Sequence, residues 1–299
     1  MESKGLMTKA DKAEQVIVHI VLIFFSLCAI LPFVLLISGS MTDDSTLTIT
    51  GYKFWSPKWS FYAYEYLFVS NGENILRAIG ISVFITVFGT GLSLLIAPML
   101  ACALSRRDYN RAKILSFYVI FTILFNGGIV PAYMMWNNLF GIKNTIWALI
   151  FPNLVMNGFI ITIMKNYFSQ NIHPALIEAA KIDGASELMI YFRVILPLSQ
   201  PILATIGLMV GLGYWNDWVN GLYYITDNKL YSLQVMLNSI LMNAQALLTM
   251  GNASSVSMKL PSISIRMAIA VVGTVPIIIL YPFFQKYFIK GIALGGVKE

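Results

Sequence analysis

The 299-residue chain is 58% hydrophobic and 11% charged, where a soluble domain is roughly half apolar and about a quarter charged. That balance excludes a water-soluble enzyme or binding module and indicates an integral membrane protein. The net charge of +6 is a topology signal and no mark of nucleic-acid binding, because the cations cluster in short segments between apolar runs.

Uncharged gaps predict six membrane-spanning helices, at 16–42, 78–104, 114–142, 144–164, 194–216 and 267–285, each close to the ~20 residues that cross the hydrocarbon core. A seventh gap, 230–258, is too polar for a span. Its apolar residues recur at helical spacing on one face, which predicts an outer amphipathic helix over about 230–250 lying on the membrane surface. With both termini inside, thirteen Lys and Arg fall in inner segments and seven in outer ones, as the positive-inside rule requires.

Residues 1–15 are polar and form an N-terminal tail on the inner side. The first helix, 16–42, contains His19, for which a structural role is favoured over a proton relay. Ser38-Gly39-Ser40 resembles a small-residue cleavage site, but the uncharged run is longer than a signal core, so an uncleaved helix is expected. The outer loop 43–74 carries Tyr52, Phe54, Trp55, Trp59 and Phe61. These suit an aromatic belt at the bilayer surface, with contact to a docked partner as the sharper alternative.

Residues 75–290 form the core. Cys28 and Cys102 both fall in spans at no motif spacing, which gives neither a disulfide framework nor a metal site. The basic turn Ser105-Arg106-Arg107-Asp108-Tyr109 is read as a topology anchor. Asn126-Gly127-Gly128 with Pro131 interrupts the third span and invites a kink. Irregular backbone at membrane depth survives only inside protein or beside a water-filled cavity. A pathway lining and close helix packing therefore both stay open for Asn126, Gly127 and Gly128.

Residues 171–197 form a charged, amphipathic island between apolar blocks. Pro174 suits a first helical turn, and Gly184 suits a left-handed helix end. Ser186 suits the cap of a second short helix, predicted over 187–193 and stopped before Pro197. Glu178 and Asp183 remain for the turn or for a partner's basic groups. The fifth span then holds Trp215-Asn216-Asp217-Trp218, with Asp217 about 24 Å from Pro201 at 1.5 Å per residue. Indoles flanking an Asn and an Asp fit sugar binding; an interfacial anchor explains them equally well. The glycine-rich tail, 291–299, has no reason to fold alone and is expected either to stay disordered or to thread into a partner.

Glu178-Ala179-Ala180, Gly184 after three intervening residues, and Val194-Ile195-Leu196-Pro197 together resemble the EAA loop of ABC importer permeases, with Val194 where the family usually shows Ile. Trp215-Asn216-Asp217-Trp218, Asp183-Gly184-Ala185-Ser186 and the Gly-Gly-Val-Lys tail resemble the maltose-type, oligosaccharide branch. The likeness covers roughly 74–299 and is weaker over the first span.

This resemblance implies an all-α polytopic membrane protein with six transmembrane helices, the ABC type I importer permease fold. It implies an EAA coupling loop at 171–197 with Glu178, Ala179, Ala180, Asp183, Gly184, Leu196 and Pro197 at the ATPase, and a C-terminal tail reaching it through Gly295, Gly296 and Lys298. The implied partners are a second homologous permease, two ABC ATPase subunits, an extracytoplasmic solute-binding protein and the oligosaccharide. ATP and Mg belong to the ATPase partners, and no cofactor to this chain. The implied location is the bacterial cytoplasmic membrane with both termini cytoplasmic. No GxxxxGK[ST] sequence and no nucleophile–base pair or metal set occurs, so no catalytic residue is assigned. An importer of a peptide or amino acid is the alternative.

Overall fold

A computed structural model describes residues 9–70, 72–106, 108–152, 154–249 and 263–295. Among these the chain is helical, and the one β feature is an isolated bridge between Thr42 and Trp59. Two compact units divide the chain: residues 1–72 with 243–274, and residues 73–242 with 275–299.

The first unit begins with α1 (Lys9–Ser40), about 48 Å long at 1.5 Å per residue. Its side chains from Glu14 to Val34 are all exposed, a surface suited to lipid or another membrane subunit. His19 makes only a local contact, Nδ1 to the Gln15 carbonyl at 2.6 Å. The small residues at the end of α1 have a packing reason. Ser38 and Ser40 are buried and bond the Lys53 carbonyl and the Tyr64 hydroxyl, each at 2.8 Å, and Gly39 lies against Met267 with no room for a Cβ. The short helices α2 (Asp44–Thr50) and α3 (Tyr62–Glu65) follow. Asp44 Oδ1 accepts from the Ser264 amide at 3.1 Å, fastening α2 to the start of the last helix.

The second unit is organised on α4 (Gly72–Ser105). Its buried residues Ile75, Ala78, Ser82, Ile85, Gly89, Ser93, Ala97 and Ala101 recur every three or four positions and line one face. Most are small, so neighbouring helices come close. The next helix, α5 (Ala112–Leu124), ends at the Asn126-Gly127-Gly128 interruption. There Asn126 Oδ1 accepts from the Gly128 amide at 2.8 Å, and Gly128 has φ +87°. The chain resumes as α6 (Ile129–Met134) with a π turn over Met135–Leu139, bent 114° from α5. The third expected span is therefore two limbs.

The fourth expected span, 144–164, is not one helix. The described residues of 144–157 form turns and a 3-10 segment (Ile146–Leu149), and α7 (Gly158–Asn171) starts only where Asn157 caps it, accepting from the Phe159 and Ile160 amides. The irregular stretch is buried instead of helical: Ala148, Leu149 and Ile150 are fully inaccessible. Its backbone is held by Asn144, whose Oδ1 accepts from the Thr226 amide at 2.6 Å, and by Asn220, which donates to the Pro152 carbonyl at 3.1 Å.

After α7 come α8 (Pro174–Ile182), α9 (Glu187–Ile190), a π turn (Tyr191–Ile195) and α10 (Leu196–Leu198). The second loop helix thus runs on through Pro197 instead of stopping before it. A π turn leaves the extra backbone slack that a proline needs, and the break falls at Ser199, between Pro197 and Pro201. There the chain bends 82° into α11 (Gln200–Asn216), which starts six residues later than the expected fifth span. Then follow α12 (Val219–Tyr224) and α13 (Leu233–Thr249), the latter burying Leu233, Val235 and Leu237.

The final helix, α14 (Ile263–Gly295), passes through Pro276 and Pro282 and carries on over 291–295, which were expected to be a separate tail. Among the described residues, two helices are long and apolar enough to cross a membrane, and two bent pairs satisfy the same test together.

Candidate functional site: the α8–α9 turn and its clamp

The α8–α9 turn is built from local rules. Pro174 occupies the first helical turn, and His173 Nδ1 accepts from the Ala175 amide at 3.3 Å. The helix ends in a Schellman arrangement: the Gly184 amide donates to the Lys181 carbonyl and the Ala185 amide to the Ala180 carbonyl, both at 3.0 Å. Gly184 sits at φ +78°, in the left-handed region that costs other residues. Ser186 then caps α9 through the Met189 amide at 3.3 Å.

This turn brings together most of the residues expected to couple. Ala180 and Leu196 pack on the core of α4, α7 and α11, while Glu178, Ala179 and Asp183 face outward. Glu178 makes no ion pair among the described residues. Exposed Leu176, Ile182 and Leu188 surround the turn, Ile182 at 86%.

A ring of four charges ties the turn to the end of α4. Arg106 donates in a fork to Asp108, Nε to Oδ1 at 2.9 Å and Nη2 to Oδ2 at 2.6 Å, and its Nη1 bonds Glu187. Lys181 closes the ring, 2.9 Å from Asp108 Oδ2 and 3.3 Å from Glu187 Oε1. The Arg106 fork, then Lys181, hold the Asp108 carboxyl well below the usual carboxylate range. Asp108 in turn raises both Arg106 and Lys181. Arg106 is the pivot, with its side chain 12% exposed. The basic turn read as a topology anchor is therefore also half of a clamp on the α8–α9 turn. The sequence signal was the opposite charges in the two segments, Lys181 and Glu187 against Arg106 and Asp108, which spacing alone does not pair.

The residues expected along a substrate path are dispersed by local bonds. Trp215 is buried, Trp218 is exposed, and Asn216 donates back to the Leu212 carbonyl at 3.0 Å. Asp217 Oδ1 accepts from the Val219 and Asn220 amides, each at 3.1 Å, and so caps α12. Its other oxygen is buried without a partner in the structure, as are the Thr86 and Thr90 hydroxyls on α4. Asn126, Gly127 and Gly128 are exposed at the α5–α6 break. Of the expected tail positions, Gly295 closes α14, and Gly296 and Lys298 lie outside the described residues.

Comparison with known proteins agrees with this architecture. The model of the family described as "Binding-protein-dependent transport system inner membrane component" matches residues 7–294, so the likeness takes in the first helix as well as 74–294. The polygalacturonan/rhamnogalacturonan transport system permease protein YtcP of Bacillus subtilis (strain 168) is 37% identical over 281 residues, covering 93% of this chain and 95% of that protein. Protein LplC of the same organism is 37% identical over 269 residues, 90% of this chain and 89% of its own. A chain in the crystal structure of a bacterial ABC transporter involved in the import of the acidic polysaccharide alginate superposes with a TM-score of 0.76 at 31% identity. That match covers 95% of this chain and 100% of the other. The chain belongs to the family of inner membrane components of binding-protein-dependent transport systems.

Proposed function

We propose that this chain is the translocation subunit of an ATP-driven importer for oligosaccharides released from polysaccharides, acidic ones among them. The observation that carries the substrate class is the agreement of relatives over nearly the whole chain. The name of YtcP specifies polygalacturonan and rhamnogalacturonan, and the solved neighbour is involved in the import of alginate. Arabinooligosaccharide permeases of Halalkalibacterium halodurans and of Bacillus subtilis, 32% and 26% identical, support the sugar reading over a peptide or amino-acid solute.

In this reading the chain performs no chemistry. Two partner ATPases bind ATP and Mg, a second permease completes the pore, and a binding protein delivers the sugar outside. The α8–α9 turn faces the cytoplasm and receives the closure of the ATPases on Leu176, Ile182 and Leu188. The charge ring hands that displacement to α4 as a rigid body. The sugar biases the two access states only through its different affinity for each. The test is uptake of labelled oligogalacturonides by the complex reconstituted with its ATPases and binding protein. ATP-dependent accumulation is expected, and accumulation of peptides with none of the sugars would refute it.

A further inference from the structure

On the flank of the clamp lies an open cavity of about 1110 Å³ between α5, α7 and α8, just above the usual range for small-molecule sites. Four cations, Arg106, Lys113, Lys165 and Lys181, face two carboxylates, Asp108 and Glu178, across it. Arg106 and Lys181 are already neutralised in the ring. Lys113 and Lys165 are not: among the described residues neither pairs with an acid. Lys165 has only the hydroxyl of Ser116, at 2.9 Å, and Ser116 is itself buried. Lys113 sits in the first turn of α5, where the helix end favours an anion as well.

The same wall becomes apolar further along. Lys113, Ser116, Phe117 and Ile120 all line the cavity, at the i, i+3, i+4 and i+7 spacing of one helix face. Phe117 is 63% exposed and Ile120 45% exposed. Charge at the helix end and bare hydrocarbon up to two turns along, about 10 Å at 1.5 Å per residue, match a molecule with an anionic head and an acyl tail. A free phosphate has no use for Phe117 and Ile120.

We infer that this cavity binds the phosphate headgroup of an anionic phospholipid, from the leaflet on the side of the α8–α9 turn, with its acyl chain along Phe117 and Ile120. Basic pockets between membrane helices are a recurrent way to hold such headgroups. The site abuts Glu178 and Lys181, so a lipid here touches the turn that the partner is proposed to push. The inference does not depend on which solute is carried.

The test is native mass spectrometry of the detergent-purified complex with dioleoylphosphatidylglycerol, dioleoylphosphatidylcholine or inorganic phosphate. Phosphatidylglycerol is expected to stay bound where phosphatidylcholine is lost. Lys113→Gln and Lys165→Gln should each weaken it about fivefold, at ~1 kcal/mol per cation near an anionic surface. Lys165→Arg should retain binding, which separates loss of charge from damaged folding. Equal retention of the two lipids, or wild-type retention in the double Gln variant, overturns the inference. So does displacement of the lipid by millimolar phosphate, which would mark a free-anion site. A photo-crosslink from position 120 to a protein subunit in place of lipid would overturn it too.

Discussion

Substituting Gly184 isolates the backbone of the α8–α9 turn from its contacts. A Cβ at this position would meet nothing within 4 Å, so no collision is involved, and the cost is that of φ +78° alone. For Ala the left-handed region costs about 1–2 kcal/mol. Val, branched at Cβ, is a worse outlier there, and Asn tolerates the region best after Gly. One to two kcal/mol corresponds to about a 5- to 30-fold shift of a local equilibrium. The expected order of disruption is therefore Asn, then Ala, then Val. Hydrogen exchange reads it directly, because the Gly184 and Ala185 amides close the turn onto Lys181 and Ala180. In the Ala variant they should exchange about 5- to 30-fold faster. In the assembled transporter the same series should separate ATP hydrolysis from uptake, with assembly intact. Wild-type exchange and wild-type uptake in Gly184→Val would refute both the turn argument and its coupling role.

Arg106→Ala should loosen α9 from α4. Because Asp108 and Glu187 are more than half exposed, solvent screening limits the loss to about 1 kcal/mol, visible as faster exchange across α9. The ring also sets a pH window. Asp108 is lowered, so its contribution is complete above the ordinary value of 3.8 and fades as pH falls towards its own lower value. Lys181 is raised, so its contribution is complete below 10.5 and fades as pH rises through its own higher value. A protection factor in α9, the exchange rate referred to the intrinsic rate at the same pH, that is flat between these limits and falls outside them is the expected profile; a transition near neutrality would contradict it. Asp217→Asn keeps the cap of α12, while Asp217→Ala should cost about 0.5–2 kcal/mol of thermal stability. If Asn transports like wild type and Ala does not, Asp217 is a cap; loss of uptake in both, with Asn stable, makes it a substrate contact. Tyr214 buries its ring where a Cβ of Gly89 would lie and donates to the Ile150 carbonyl at 2.9 Å. Tyr214→Phe should destabilise by about 1 kcal/mol and Gly89→Ala by about 1–3 kcal/mol, both read as a lower Tm.

The parts of the structure legible in the sequence were those set by neighbours along the chain. Pro174, Gly184 and Ser186 each impose a local geometry, and the turn follows from them. The charge ring was not legible, since Arg106 and Glu187 are 81 residues apart and a charge does not announce its partner. Absence of charge marked where the chain meets lipid, but charge says nothing about hydrogen bonding. Residues 144–157 carry no charge, yet Pro152 and the Asn157 cap keep them out of one long helix. In the sequence the tail stays open between disorder and threading into a partner; Ile292, Ala293 and Leu294 tolerate a helix well enough for α14 to continue through them to Gly295. Asp217 showed its charge in the sequence and its capping bonds only in the fold.

The Tyr214 ring joins three stretches of chain that are remote in sequence: α4 at Gly89, the non-helical segment at Ile150, and α11. A lever transmits a stroke only if it does not flex between handle and tip. Through this one buried contact the irregular segment is fixed to both helices. Under the coupling proposed above, a push delivered at one end of α4 would carry Ile150 with it.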